Sequence, residues 1–448
     1  MAAKIYLFIL SLSKGFCQFT LNLSKGFSLS LLLSLSFISA TAQSQDSVRF
    51  TFAECVEYAF ANSYERQSML LDVNQQEETL RGVKLQQTPS VSASLGESLH
   101  HAGNEDASYS GNASIGMNID LMNFSLYRNI ESQKLYLERV KHQNAQYDQN
   151  LVISILRNYV TIIGNMELIK YQKQIVETSR QQMEQGETKY KAGAILESDY
   201  LLLQSQYASN VTSLVESQSS LDNSLIELKV LMSMDATKPL TVIAPTDEFI
   251  NDFKVTPNLD YALEQSRKNM PQMKLSESSL DIARQDLKIA KTGYIPTIGA
   301  NASISTSHRD YNNFGKQLDD NFSQSVGISV SIPIYDRSQT QSRVRKARLS
   351  IEQAELDRLQ TEKEIVNTVV QNYTNIQSAI SKYDASTMKY NAWQKTLAVY
   401  QTRFKVGSIT AVDLLQQENN YLSALYDYIQ AKYNFMLQRQ LLNIYMGE

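Results

Sequence analysis

The sequence predicts an internally duplicated chain of mixed class, a coiled-coil α-barrel tube joined to a transmembrane β-barrel. Each chain would give four strands to a twelve-stranded barrel built by three chains, and long helical hairpins to the tube. Three observations predict this. Two stretches, Glu187 to Asn210 and Gln401 to Ala424, are near-copies of one another; four segments alternate with period two; and the helical runs between them are several times the usual length.

The two copies align at a constant offset of 214, pairing Lys189 with Arg403, Tyr190 with Phe404, Lys191 with Lys405, Gly193 with Gly407 and Asp199 with Asp413. Each reads as the bend between two long helices. Cations fill the last turn of the incoming helix, where they complement its negative end. A glycine follows where the backbone must turn left-handed, and an apolar helical pattern resumes at once.

Residues 1–42 read as a secretory signal peptide, with Lys4, Lys14 and Lys25 ahead of the apolar run Leu29 to Ile38 and an A-x-A site at Ala40-Thr41-Ala42. That run is too short to serve comfortably as a spanning anchor. Removing this leader, which carries three lysines and no acid, takes the formal net charge from −4 to −7. No basic patch is dense enough for nucleic acid. Of Cys17 and Cys55 only Cys55 would remain, so no internal disulfide is expected. No apolar stretch after the leader approaches the ~20 residues of a spanning helix.

The first repeat, 43–256, opens on Thr51-Phe52-Ala53-Glu54, a capping-box pattern, with a helix running to about Gln87. Pro89 stops it, and a hairpin occupies 89–122. Ala113, Ile115, Met117, Ile119 and Leu121 face one way; Asn112, Ser114, Gly116, Asn118 and Asp120 face the other. A helical hairpin follows with its tip near 191–195, carrying the seven-residue column Ile155, Ile162, Ile169. Residues 235–256, with Pro239 and Pro245, read as an irregular equatorial segment. The second repeat, 257–448, has its β-hairpin at 296–334 and its helical tip near 405–409. Its return helix carries Leu414, Tyr421, Tyr428, Phe435 and Leu442, a spacing that implies left-handed supercoiling.

Each strand is about ten residues long, the length a tilted strand needs to cross a bilayer. Aromatics flank the set, with Phe124, Tyr127, Tyr294 and Tyr335 at one end and Tyr109, Tyr311, Phe314 and Phe322 at the other. Four strands cannot span lipid alone, since an open sheet leaves backbone groups bare in hydrocarbon. Closure needs further copies: two would give a barrel filled by side chains, three a water-filled bore. The expectation is a homotrimer.

On these residues the chain resembles the TolC-like outer-membrane efflux proteins. The most specific are Lys189-Tyr190-Lys191-Ala192-Gly193 with Asp199, Arg403-Phe404-Lys405-Val406-Gly407 with Asp413, the strand exit Ile332-Pro333-Ile334-Tyr335-Asp336, and Lys432-Tyr433-Asn434-Phe435. The resemblance implies a barrel in the outer membrane, a helical tube in the periplasm, and passive export of small molecules or proteins. It implies that the tips, with Lys189, Lys191, Gly193, Arg403, Lys405 and Gly407, meet a periplasmic adaptor and through it an inner-membrane transporter. Asp413 and Asp199 match acidic positions of the family's closed tip, where a ring of acids attracts cations. Gln416 stands where a second acid can occur and Phe404 where a tyrosine can bond the neighbouring acid, both departures from the family pattern. Each acid is equally a helix-start residue at a positive dipole end.

Enzyme signatures, cofactor motifs and metal-ligand spacings do not appear. The histidines are His100, His101, His142 and His308, and the adjacent pair would point apart on an extended chain. Two other classes fit less well: a structural or adhesive coiled-coil fibre, which leaves the four matched strands unexplained, and a periplasmic adaptor, which would show one helical hairpin and β-rich modules.

Overall fold

The computed structural model describes residues 48–101, 103, 108–245, 256–309 and 313–447. The signal peptide, part of the 235–256 segment and Tyr311 lie outside the described residues. The first half runs β1 (Val48–Phe50), α1 (Phe52–Asn62), α2 (Tyr64–Leu85), β2 (Ser90–His100), β3 (Ser108–Met122), α3 (Phe124–Lys191) and α4 (Glu197–Leu231). The second runs β4 (Leu240–Val242), α5 (Leu259–Asn269), α6 (Pro271–Thr292), β5 (Thr297–His308), α7 (Phe314–Asp320), β6 (Ser323–Ser331), α8 (Gln339–Lys405) and α9 (Ala411–Met446). Contacts divide the described chain into two compact units, one holding 79–131 and 287–345, the other holding 45–78, 132–286 and 346–448.

The first unit is built on one antiparallel sheet in the order β2-β3-β5-β6. Its register places Ser94 opposite Ser114, Ser114 opposite Ser305 and Ser305 opposite Ser323, so the small polar residues gather on one face. There the hydroxyls bond one another: Ser94 to Ser114 at 2.7 Å, and Ser98 to Ser110, Ser303 to Ser325 and Ser305 to Ser323 at 2.8 Å. The other face is apolar and uncovered. Leu95 is 87% exposed and Val326 86%, which no water-facing sheet sustains over such an area. Among the described residues the outer strands β2 and β6 have no second partner.

One polar pair interrupts the apolar face. Gly111 leaves a gap across which Glu97 Oε1 and His308 Nε2 meet at 2.8 Å; a Cβ at position 111 would lie 2.4 Å from that nitrogen. The His308 ring is buried and packs edge-on against Phe314, the first residue of α7. Thr306 Oγ1 donates to Leu318 O and Asn321 Nδ2 to Ser307 O, which fastens α7 to β5. The loop around Asp319 and Asp320 is therefore partly helical, and both acids lie exposed at the end of that helix.

The second unit is helical. At 1.5 Å per residue, the 68 residues of α3 measure about 100 Å. Its heptad column is buried, with Ile155 and Ile162 wholly enclosed, as are Leu414, Phe435 and Leu442 on α9. Tyr171, Tyr390, Tyr428, Tyr383 and Phe435 form a chain of ring contacts across α3, α8 and α9. By length and hydropathy alone α3 holds one window that could cross a membrane, contrary to the expectation of no such stretch; that helix also carries the buried Ile155 and Ile162.

The leading helix is also corrected. Rather than running unbroken to Gln87, it breaks at Ser63, whose backbone is extended while its Oγ accepts from Arg66 N. The second half breaks at the equivalent place, where Met270 is followed by Pro271 at the first position of α6. Thr51 and Glu54 do form the reciprocal capping box. The 235–256 segment contributes a strand, since β4 pairs in parallel with β1.

Candidate gate at the helical tips

The two bends repeat each other bond for bond. Ala194 N donates to Lys189 O and Gly193 N to Tyr190 O; at the second tip Ser408 N donates to Arg403 O and Gly407 N to Phe404 O. This is the glycine-terminated helix end in which two orphan carbonyls are satisfied. Gly193 has φ +70° and Gly407 φ +78°, and a Cβ at either would meet open space, so conformation alone demands glycine.

The structure ties the two tips together through a contact the sequence did not disclose. Lys189, from the first tip, donates from Nζ to Phe404 O at 2.8 Å and reaches Lys405 O at 3.5 Å. The same ammonium lies 4.6 Å from the centroid of the Phe404 ring. One cation thus caps the negative end of α8 and rests on a buried aromatic face. Phe404, which lacks the hydroxyl a tyrosine would offer, serves as the floor of this clasp. Arg403 lies over the Tyr400 ring, Lys191 pairs with Glu187 at 2.7 Å, and Lys405 is exposed.

Asp413 occupies the third helical position of α9. Its Oδ2 accepts from Thr410 Oγ1 at 2.7 Å and from Thr410 N at 3.1 Å, while its own N–H donates to Thr410 Oγ1. Those Thr410 bonds, with a smaller contribution from Arg403, hold the carboxyl below the usual aspartate range. The residue is exposed, as is Gln416 one turn on. Asp199 sits in the first turn of α4, where Leu196 supplies no side-chain cap. The helix-start role is therefore realised for Asp413. Tyr190 and Tyr200 stack in parallel beside the first tip, their centroids 5.8 Å apart.

Farther up α9, Ala411, Glu418, Leu425 and Lys432 form a buried column at seven-residue spacing. Lys432 donates to both oxygens of Glu167 on α3, at 3.1 and 2.9 Å, and Tyr433 OH joins the same carboxylate. Among the described residues no cation pairs with Glu418. Lys432 belongs to the Lys432-Tyr433-Asn434-Phe435 motif legible in the sequence, whereas Glu418 stands out in no motif, although the heptad frame that places Ala411 and Leu425 inside places it inside as well. Among the described residues no cluster of His, Cys, Asp and Glu could hold a metal ion.

A sheet with a bare apolar face, a hydroxyl face and two open edges has the form of part of a membrane β-barrel wall. Residues 262–448 match the family model described as outer membrane efflux protein. TolC of Escherichia coli strain K12 is 23% identical over 337 residues, 73% of this chain and 67% of TolC. The alkaline protease secretion protein AprF of Pseudomonas aeruginosa is 24% identical over 330 residues, 72% of this chain and 66% of its own length. The solved structure of CusC superposes with a TM-score of 0.76 at 14% identity, covering 88% of this chain and 91% of CusC. The chain is thus similar to the TolC-like outer membrane efflux proteins over most of its length, with the family model itself matched by residues 262–448, and it shares the fold of CusC.

Proposed function

We propose that the chain works as a homotrimer, passive and without enzymatic activity, whose twelve strands close a bore through the outer-membrane lipid. The observation that carries this is the sheet itself. Strand β2 is exposed along its whole length and β6 along nearly all of it, and an unpaired edge in hydrocarbon costs several kcal/mol per bare group. Pairing β6 of one copy with β2 of the next removes both edges at once. It also turns the hydroxyl face inward and the Leu95 and Val326 face to lipid.

In this reading the tips form the periplasmic gate, and the surfaces around Lys191, Gly193, Lys405 and Gly407 meet an adaptor that couples the duct to an inner-membrane transporter. TolC, AprF and the protease secretion protein PrtF of Dickeya chrysanthemi support it as relatives named for outer-membrane and secretion roles. The exposed tip side chains Leu196, Val406 and Val412 suit protein contact at that end. Asp413 and Asp199 would line the constriction as acids, with Gln416 one turn further in. Light scattering of the mature chain in mild detergent should give three copies, and planar bilayers should show discrete conductance. A monomer that stays in solution without detergent would end this reading.

A further inference from the structure

The buried column on α9 carries two ionisable groups, and only one is matched. Lys432 has the Glu167 carboxylate. Glu418, two turns from the tip, is 2% exposed and receives a single hydrogen bond, from Asn210 Nδ2 on α4 at 3.3 Å. The other side of that amide is occupied, since Asn210 Oδ1 accepts from Gln206. Glu418 Oε2 is enclosed with no hydrogen-bond partner among the described residues.

Several charged groups on the surrounding elements are engaged elsewhere, and none of them is a partner of Glu418 among the described residues. On α3, Arg180 binds Glu177 and Glu184, and Lys189 caps the end of α8. On α8, Arg403 lies over Tyr400 and Lys389 pairs with Asp427 of α9. Asp413 is bonded to Thr410, and Asp199 stands at the exposed start of α4. Tyr171, Tyr390 and Tyr421 are held neutral by burial first of all. What acts on Glu418 is burial, opposed by the Asn210 bond, and burial pushes its carboxyl up to about 7.

We propose that Glu418 is a proton-operated wedge between the two return helices, neutral while α4 and α9 are packed beside the tips and ionised when they part. The proposal rests on the tips being the gate of the duct. On closing, each carboxylate takes one proton from the periplasmic solvent onto an oxygen, and on opening it gives that proton back. A packed carboxyl with a raised pKa holds a proton that the separated helices release, so packing is strongest in acid. It weakens as pH rises from the free glutamate value towards 7, by roughly tenfold in the closed-to-open ratio per pH unit, and is flat above that. A proton per chain makes the duct a sensor of the medium outside the cell.

The test uses the full chain in detergent and in planar bilayers. Hydrogen exchange in the first turns of α9, corrected for intrinsic rate, should rise at least tenfold between pH 5 and pH 8 in the wild type. Open probability should rise over the same interval. In Glu418→Gln, the neutral isostere, both profiles should be flat at the acid value, and Glu418→Met should behave alike. A Gln variant that keeps the wild-type profile, or a wild type with no profile, overturns the wedge. If exchange follows the prediction while no variant conducts at any pH, the wedge stands and the duct reading falls.

Discussion

Lys189→Met keeps a stem of similar length across the Phe404 ring and deletes only the ammonium. Three contributions go with it: a charge-assisted bond to Phe404 O, a longer contact to Lys405 O, and the cation's attraction to the ring. A hydrogen bond from a charged donor is worth about 1.5–3 kcal/mol and a ring contact by a partly solvated cation about 0.5–1 kcal/mol. The three share one charge and do not add, and Lys189 is half-exposed, so solvent takes part of the total. A loss of about 1.5 kcal/mol is the reasonable sum, roughly tenfold in the equilibrium between tied and untied tips. Single-channel recording reads it directly: the open fraction of Lys189→Met should rise about tenfold with unit conductance unchanged. Phe404→Leu, which spares both carbonyl contacts, should raise it only two- to threefold. If Lys189→Met matches the wild type within twofold, the clasp does not hold the tips and the argument from its geometry is wrong.

Asp413 titrates in the opposite sense to Glu418. Its carboxyl is depressed by Thr410, so its cap is fully formed above the ordinary aspartate value and is lost only as pH falls through the lower folded value. The Asp413 contribution to protection of the first turn of α9 should therefore be constant between pH 5 and 8, and Asp413→Ala should lower protection equally at both ends of that range. In bilayers the same variant should lose cation preference; unchanged selectivity removes Asp413 from the constriction. Glu167→Gln strands the buried Lys432 charge and should cost about 3 kcal/mol or more, seen as a lower melting temperature of the oligomer. Pairing Glu167→Leu with Lys432→Met should recover most of that loss, and a double variant as weak as the single one would refute it.

What could be read in advance was whatever repeats. Period two marked the strands because one face meets hydrocarbon and the other water, and the heptads marked α3, α8 and α9 because each must present one seam to its neighbours. Strands β1 and β4, three residues each, are too short for any period to register. Helix α7 stayed hidden because its anchors, His308 and Thr306, lie on another element. At the tips the glycines and the acid at 413 were legible as local chemistry. The Lys189 clasp was not, since it joins residues 215 apart through a helix end whose position only packing decides. Glu418 was masked by composition: Gln416, Gln417, Asn419 and Asn420 make its surroundings look solvated. The frame that buries Ala411 and Leu425 was the available signal.

The hydroxyl face of the sheet has a consequence for traffic. Serines that donate to and accept from their own cross-strand neighbours have spent much of their capacity to hold anything else. A passing solute would find a wetted lining without strong handholds, too small-grained to obstruct and too self-absorbed to bind. Such a conduit would not foul, and the choice of what enters would fall to whatever stands at the other end.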